Sequence, residues 1–243
     1  MNFKKNKYDM IIKSNNIFVD DKLIACNIGV KDEKIISISS EKLEEAGVII
    51  DAKDKIVLPG TIDPHVHIRN PGKEEWETFE TGTKAAAAGG VTTVIEHPIS
   101  TPSVYNVKIA KRRMDLASSK ILVDMAFFGA AGIKHLDDIV PLSKAGIVAF
   151  KTFLHDSPEG REEEFEGLAC PEDGDLYEVL KEIAKTNLLV AFHAENNSII
   201  NHLIEIFRKE GKVTPIFHAK SRPPITEIET TSKLLLFAEE TGA

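Results

Sequence analysis

The pattern of hydrophobic and polar positions changes near residue 58 of the chain. Before that point the apolar runs are short, and turn signals such as Asp20-Asp21 separate them. The runs occupy residues 10–12, 16–19, 24–30, 34–39 and 48–50. Short apolar runs bounded by turn residues are typical of β-strands. We therefore expect residues 1–58 to form part of a small N-terminal β-sandwich.

From residue 59 onward, strand-like apolar runs alternate with helical stretches. The runs lie at residues 56–62, 91–95, 121–128, 146–153 and 188–192. The helical stretches lie at residues 76–88, 107–118, 137–144, 175–185, 199–209 and 225–240, and Gly242 suits the end of the last one. This alternation is typical of βα units around a parallel sheet. The sequence predicts an α/β fold in which residues 59–243 form the first part of a (β/α)8 TIM-type barrel, truncated after about five strands.

Composition narrows the classes of function. The formal net charge of -8 and the interspersed lysines offer no basic surface for nucleic acid or for an anionic membrane. No apolar run approaches the roughly 20 residues that a membrane helix needs. Cys26 and Cys170 are far apart in sequence, so we expect no disulfide and a cytoplasmic location. A soluble protein that acts on small molecules fits best.

Two histidines follow the first apolar run of the predicted barrel. His65 and His67 have one residue between them, and alternate side chains of a strand share a face. Both imidazoles can then bind one metal ion at the carboxyl end of the strand, where barrels of this kind have their active sites. The alternative is a pair of incidental polar residues at a strand end.

Two later strand ends carry further candidate ligands. Lys151 closes the apolar stretch at residues 146–151 within the fourth run, and His193 directly follows the fifth run. Taken singly, Lys151 can be a lysine that extends to solvent and His193 a hydrogen-bonded core histidine. A buried lysine loses its proton easily, however, and its neutral amine can take up carbon dioxide to form a carbamate that bridges two cations. Together with His65 and His67, these residues favour a metal site.

These residues belong to stretches that resemble the cyclic amidohydrolases, which include allantoinase, dihydroorotase and hydantoinase or dihydropyrimidinase. The resemblance covers nearly the whole chain. It is carried by residues 59–72, 76–93, 150–153, 193–196 and 221–224. It implies hydrolysis of a C–N bond in a cyclic ureide or amide by a homo-oligomeric enzyme.

The resemblance also implies the site. His65 and His67 would hold one divalent ion, carbamylated Lys151 would bridge two, and His193 would hold the second, with zinc as the expected metal. The remaining ligand histidine and the catalytic aspartate of the family would lie beyond Ala243. We therefore expect no catalytic residue within these 243 residues and no activity from the chain alone.

Arg69 and His155 are the candidate substrate-binding residues. Arg69 can form paired hydrogen bonds with an anionic group, or it can be a loop arginine in a surface salt bridge. His155 stands where hydantoinases usually have an oxyanion-stabilising tyrosine shortly after the bridging lysine. His97 is ambiguous between a substrate contact and an unpaired surface histidine.

The segment at residues 76–80 looks most like that of allantoinases, so we rank an allantoinase-like ureide hydrolase first. Dihydroorotase is disfavoured because Ile99 takes the place of its substrate-binding asparagine, but it stays an alternative beside hydantoinase. A non-catalytic assembly homologue or an inactive fragment is the alternative from another class. Retention of the four candidate ligands argues against the assembly homologue.

Overall fold

The computed structural model describes residues 7–243, whose strands form two separate sheets. The chain divides into two units, one ending at Gly60 and the other spanning Thr61–Ala243. Both sheets agree with the fold class that the sequence predicts.

The first sheet has four strands in the order β3-β2-β1-β4. These strands are β1 (Tyr8–Val19), β2 (Lys22–Lys31), β3 (Lys34–Ser39) and β4 (Ala46–Val57). Asp20 and Asp21 both have positive φ, as a tight turn between two antiparallel strands requires. The separate strands predicted at residues 10–12 and 16–19 are one strand, because the Ser14 hydroxyl donates to the carbonyls of Lys53 and Lys55 and maintains pairing across an irregularity.

The second sheet is a curled, parallel half-barrel of five strands in sequence order. Its strands are β5 (Thr61–Val66), β6 (Val91–Glu96), β7 (Asp124–Ala130), β8 (Ala149–Phe153) and β9 (Leu189–His193). The strand predicted at residues 56–62 is wrong in its bounds. Residues 56–57 end β4 of the first sheet, and β5 begins only at Thr61.

Helices connect the strands of the half-barrel and follow its last one. They are α1 (Phe79–Ala88), α2 (Val107–Ser118), α3 (Ile139–Ser143), α4 (Glu162–Phe165), α5 (Asp173–Ala184), α6 (Asn197–Lys209), α7 (Pro215–Lys220) and α8 (Ile225–Thr241). Short polar side chains accept hydrogen bonds from the first turns of α1, α2 and α6, at Thr78, Asn106 and Asn196. Gly242 ends α8 in the left-handed conformation, as predicted. The short helices α4 and α7 were not predicted.

The main core lies between the sheet and its helices. Phe150 of β8 is fully buried in it, packed with apolar side chains from α3 and α5. This packing fixes the strands and therefore the positions of their carboxyl ends. Cys26 and Cys170 are both buried and free, as expected. Among residues 7–243, no helix combines the length and apolar character required to cross a membrane.

Candidate metal centre

His65 and His67 converge at the carboxyl end of β5. Their Nε2 atoms lie 3.2 Å apart, although the two residues are separated by only one position. Two imidazoles on one tetrahedral ion, each bonded at about 2.0–2.1 Å, have donor atoms about 3.3 Å apart. The distance between the two Nε2 atoms therefore matches the spacing of two imidazole ligands on a single metal ion.

The protein keeps both imidazoles in the form that binds metals. Partial desolvation lowers the pKa of His65, and the nearby charge of Lys151 lowers it further. For His67, desolvation and the charge of His65 are the leading causes of a pKa of about 4. Neutral imidazoles have a free lone pair for a cation near neutral pH.

Lys151 points from β8 into the same pocket and is only 3% exposed. Within residues 7–243, its amine has neither an ion pair nor a hydrogen bond. Its Nζ lies 4.9 Å from the centre of the Phe153 ring. Desolvation lowers the pKa of Lys151 to about 8, so a substantial fraction of the amine is neutral near that pH.

His193 ends β9 and is more open to solvent. Its Nε2 lies 2.6 Å from Oε2 of Glu195, whose other oxygen lies 3.7 Å from Nε of Arg222. The charge of His193 also lowers the pKa of His65. Of the four candidate ligands, His65 and His67 have donor atoms at metal-sharing distance, and Lys151 and His193 lie near enough to influence the pKa of His65.

His97 is a fully buried neighbour of this pair, so its interpretation as a surface histidine is wrong. Its ring stacks on that of His65 on one side and on that of Phe128 on the other, at centroid distances of 3.8 and 4.2 Å. Its Nδ1 has no hydrogen-bond partner among residues 7–243, and desolvation together with the charge of His65 lowers its pKa to about 3. Donor atoms of His65, His67 and His97 all lie within 4.8 Å of one another.

The geometry nevertheless separates His97 from the ligand pair. A metal ion binds in the plane of an imidazole, along the nitrogen lone pair. The planes of His65 and His97 are only 10° from parallel, so one ion cannot lie close to both planes. His97 therefore supports the ring of His65 and does not share its ion in this arrangement.

The two predicted substrate contacts are placed differently from each other. The Arg69 guanidinium lies 3.4 Å from the Glu164 carboxylate, which also binds Arg161, and 5.6 Å from the Trp76 ring centre. His155 lies beside the candidate centre, with its ring 5.6 Å from that of His193. Both His155 and His193 line a cavity of about 560 Å³.

Sequence reasoning missed the roles of Glu96 and Arg113, which form a buried ion pair next to the segment after His67. The signals available were a carboxylate at the end of an apolar strand and an arginine in a helix. Both are common at protein surfaces, so neither residue stood out.

Comparisons with known proteins identify the family of the chain. A family model described as the amidohydrolase family matches residues 56–237. An allantoinase of Bacillus licheniformis is 39% identical over 241 residues, which cover 97% of this chain and 52% of the relative. An allantoinase of Salmonella choleraesuis is 34% identical over 237 residues, which cover 97% of this chain and 51% of the relative.

Solved structures of hydantoinases are also similar to this chain. An L-hydantoinase from Arthrobacter aurescens superimposes with a TM-score of 0.88 at 31% identity, over 97% of this chain and 51% of that one. A D-hydantoinase from Thermus sp. superimposes with a TM-score of 0.79 at 30% identity, over 96% of this chain and 50% of that one. The chain thus spans about half the length of the relatives it matches. The family model covers most of the chain, and the chain belongs to the amidohydrolase family.

Proposed function

We propose that this chain carries the metal-binding half of an allantoinase-like hydrolase that opens a cyclic ureide at a C–N bond. The observation that carries the proposal is the His65–His67 pair at 3.2 Å beside the buried, unpartnered amine of Lys151. The two bacterial allantoinases at 39% and 34% identity support the choice of substrate class.

In this proposal the four strand-end residues hold two divalent cations. His65 and His67 bind the first ion, and His193 binds the second. The neutral fraction of the Lys151 amine, whose pKa is about 8, would add to carbon dioxide with loss of a proton, and the resulting carbamate would supply oxygen ligands to both ions. When bound, the ions lower the pKa of a shared water and polarise the ring carbonyl. Imidazole and carbamate ligands suit zinc.

Glu195 has a supporting part in the proposed site. If the Glu195 carboxylate accepts a hydrogen bond from Nε2–H of His193, the lone pair lies on Nδ1, which could then bind the second ion. The same contact fixes the orientation of the ring. The contact of Glu195 with Arg222, at 3.7 Å, helps to hold the carboxylate in place.

The remaining roles follow from the family resemblance. Arg69 and His155 bind the substrate; for Arg69 this requires that its guanidinium leave Glu164 or reach past it. The family resemblance also calls for a further ligand histidine and a proton-transferring aspartate, and no residue of this chain is assigned to either role. A homo-oligomeric full-length protein in the cytoplasm is also part of the proposal.

A hydantoinase or dihydropyrimidinase is the second candidate, because the L-hydantoinase structure superimposes with a TM-score of 0.88. Dihydroorotase is less well supported. Ile99 is 4% exposed and packs in an apolar cluster with Ala130 and Phe153, so it presents no polar group to a substrate carboxylate.

The test is metal and carbamate analysis of the chain and of Lys151→Ala. In a protein that carries this chain together with the family's remaining ligand histidine, we expect about two zinc ions and a carbamate signal with ¹³C-labelled bicarbonate. The variant should lose the signal and the ions, whereas the exposed-lysine control Lys144→Ala should retain them. Full zinc content in Lys151→Ala would refute the bridge. Assays of allantoin, hydantoin and dihydroorotate with a protein that carries this chain then decide among the substrates.

A further inference from the structure

A buried ion pair lies directly behind the candidate metal centre. Glu96, the last residue of β6, is 0% exposed, and Arg113 of α2 is 1% exposed. Nη2 of Arg113 donates to Oε1 of Glu96 at 2.5 Å. Two charges removed from water in this way incur a large desolvation cost, which only well-formed hydrogen bonds offset.

The Glu96 carboxylate binds the backbone that follows His67. It accepts hydrogen bonds from the amide of Ile68, at 3.0 Å to each of its oxygens, and from the amide of Arg69 at 3.2 Å. Arg69 has a φ of +57°, a left-handed conformation that a non-glycine residue adopts only when its surroundings enforce it. The carboxylate therefore fixes the chain immediately after the ligand pair.

Arg113 extends this network to two more carbonyls. Its Nε donates to the carbonyl of Asn70 at 3.0 Å, and its Nη1 donates to the carbonyl of His97 at 2.9 Å. In addition, the amide of His97 donates to the carbonyl of Val66 at 2.9 Å. The backbone of the segment after β5 is thereby tied to the end of β6 and to α2 by the side chains of Glu96 and Arg113 and by the His97–Val66 backbone hydrogen bond.

From these contacts we infer that Glu96 and Arg113 are positioning residues, whose function is to hold the segment at residues 66–70 so that His65 and His67 meet at metal-binding distance. This inference rests on the proposed function. A buried ion pair contributes little to stability compared with apolar residues of the same volume, so stability alone does not account for it. The ion pair is better explained by its hydrogen bonds to four peptide groups around the ligands, at Ile68, Arg69, Asn70 and His97.

The first experiment compares Arg113→Lys with the wild-type chain. Lysine keeps the positive charge beside Glu96 but lacks the planar fork that reaches Asn70 and His97 as well. Arg112→Lys is the matched control, because Arg112 is the exposed neighbour on α2. Zinc affinity is measured by competition with a chelator. Amide hydrogen exchange of the metal-free chain is measured at Ile68 and Arg69, with Val94 and Phe127 of the sheet as reporters of global folding.

We expect Arg113→Lys to weaken zinc binding about 10–100-fold, the usual effect of losing an outer-shell partner. Exchange at Ile68 and Arg69 should accelerate about tenfold or more, while Val94 and Phe127 stay protected. Glu96→Asp provides a second variant should Arg113→Lys fail to fold. This variant retains both charges, but its shorter side chain withdraws the carboxylate from the amides of Ile68 and Arg69. We expect the same weakening of zinc binding and the same acceleration of exchange at these two amides.

The outcomes separate this inference from the function on which it rests. If the wild-type chain binds zinc and the variant binds it equally well, the inference is overturned and the metal site stands. A wild-type chain that binds no zinc would overturn the proposed function, and the inference with it. Loss of protection at Val94 and Phe127 in both variants would overturn the inference, because the pair would then serve the whole fold.

Discussion

The imidazole of His97 lies flat against that of His65, with ring centroids 3.8 Å apart and planes 10° from parallel. Phe128 covers the opposite face of His97. The ring that contributes one of the candidate ligands is thus held by a second, buried histidine that cannot share its ion in this arrangement. Several measurable consequences arise from this contact and from its neighbours.

Replacing His97 with leucine should leave the number of bound metal ions unchanged. Leucine fills a similar volume and removes the buried Nδ1 that has no hydrogen-bond partner. A buried polar group without a hydrogen-bond partner costs about 1–3 kcal/mol. Because the variant no longer has this cost, we expect no large decrease in its free energy of unfolding. Zinc content and the visible spectrum of the cobalt-loaded chain provide the measurement. Loss of an ion in His97→Leu would show that His97 rotates to become a ligand.

Replacing His67 with asparagine should weaken the first ion severely, because one of the two converging donors is lost. The loss should exceed the roughly 10–100-fold that removal of an outer-shell partner causes. Zinc competition assays measure the effect. His202→Asn is the matched control, since His202 is exposed on α6 and remote from the strand ends. Equal affinity in His67→Asn and His202→Asn would contradict the assignment of the pair.

The buried amine of Lys151 should make the stability of the metal-free chain depend on pH above neutrality. Its pKa is about 8 in the folded chain and about 10.4 in the unfolded chain, so the unfolded state binds more protons between these values. The free energy of unfolding should therefore rise in the window between about pH 8 and pH 10.4. Relative to a variant that lacks the amine, the rise should be about 3 kcal/mol.

Urea unfolding at several pH values, without bicarbonate, tests this dependence. The comparison is with Lys151→Met, and Lys144→Met controls for the loss of an exposed lysine. The difference between wild type and Lys151→Met should narrow as the pH rises through the window, whereas Lys144→Met should show no such trend. A difference that does not vary with pH would mean that the amine titrates normally.

Changing Glu195 to glutamine should weaken the second ion and leave the first in place. The amide no longer offers a charged acceptor for Nε2–H of His193, so the tautomer and orientation of the ring are less fixed. We expect about a 10–100-fold loss of affinity for the second ion. Stepwise zinc titration separates the two ions, and Glu205→Gln on α6 is the exposed control. An unchanged second step would exclude a supporting role for Glu195.

Local sequence pattern was sufficient to predict the half-barrel and its candidate ligands. Alternating apolar and helical stretches specify βα units, and the carboxyl ends of parallel strands meet at one edge of a sheet. His65, Lys151 and His193 each stand at or near such an end, so their convergence could be expected before any coordinates. Because periodicity and spacing are local properties, the sequence alone was sufficient to predict the half-barrel and its candidate ligands.

Long-range pairing was decided only by the tertiary structure. The apolar run at residues 56–62 reads as one strand, but its two ends belong to different sheets, because strand partners are chosen from distant parts of the chain. His97 resembles a loop histidine until Phe128 and His65 close on its two faces. Glu96 and Arg113 likewise become a single buried unit only when α2 packs behind β6, since burial and ion pairing depend on contacts that no short segment contains.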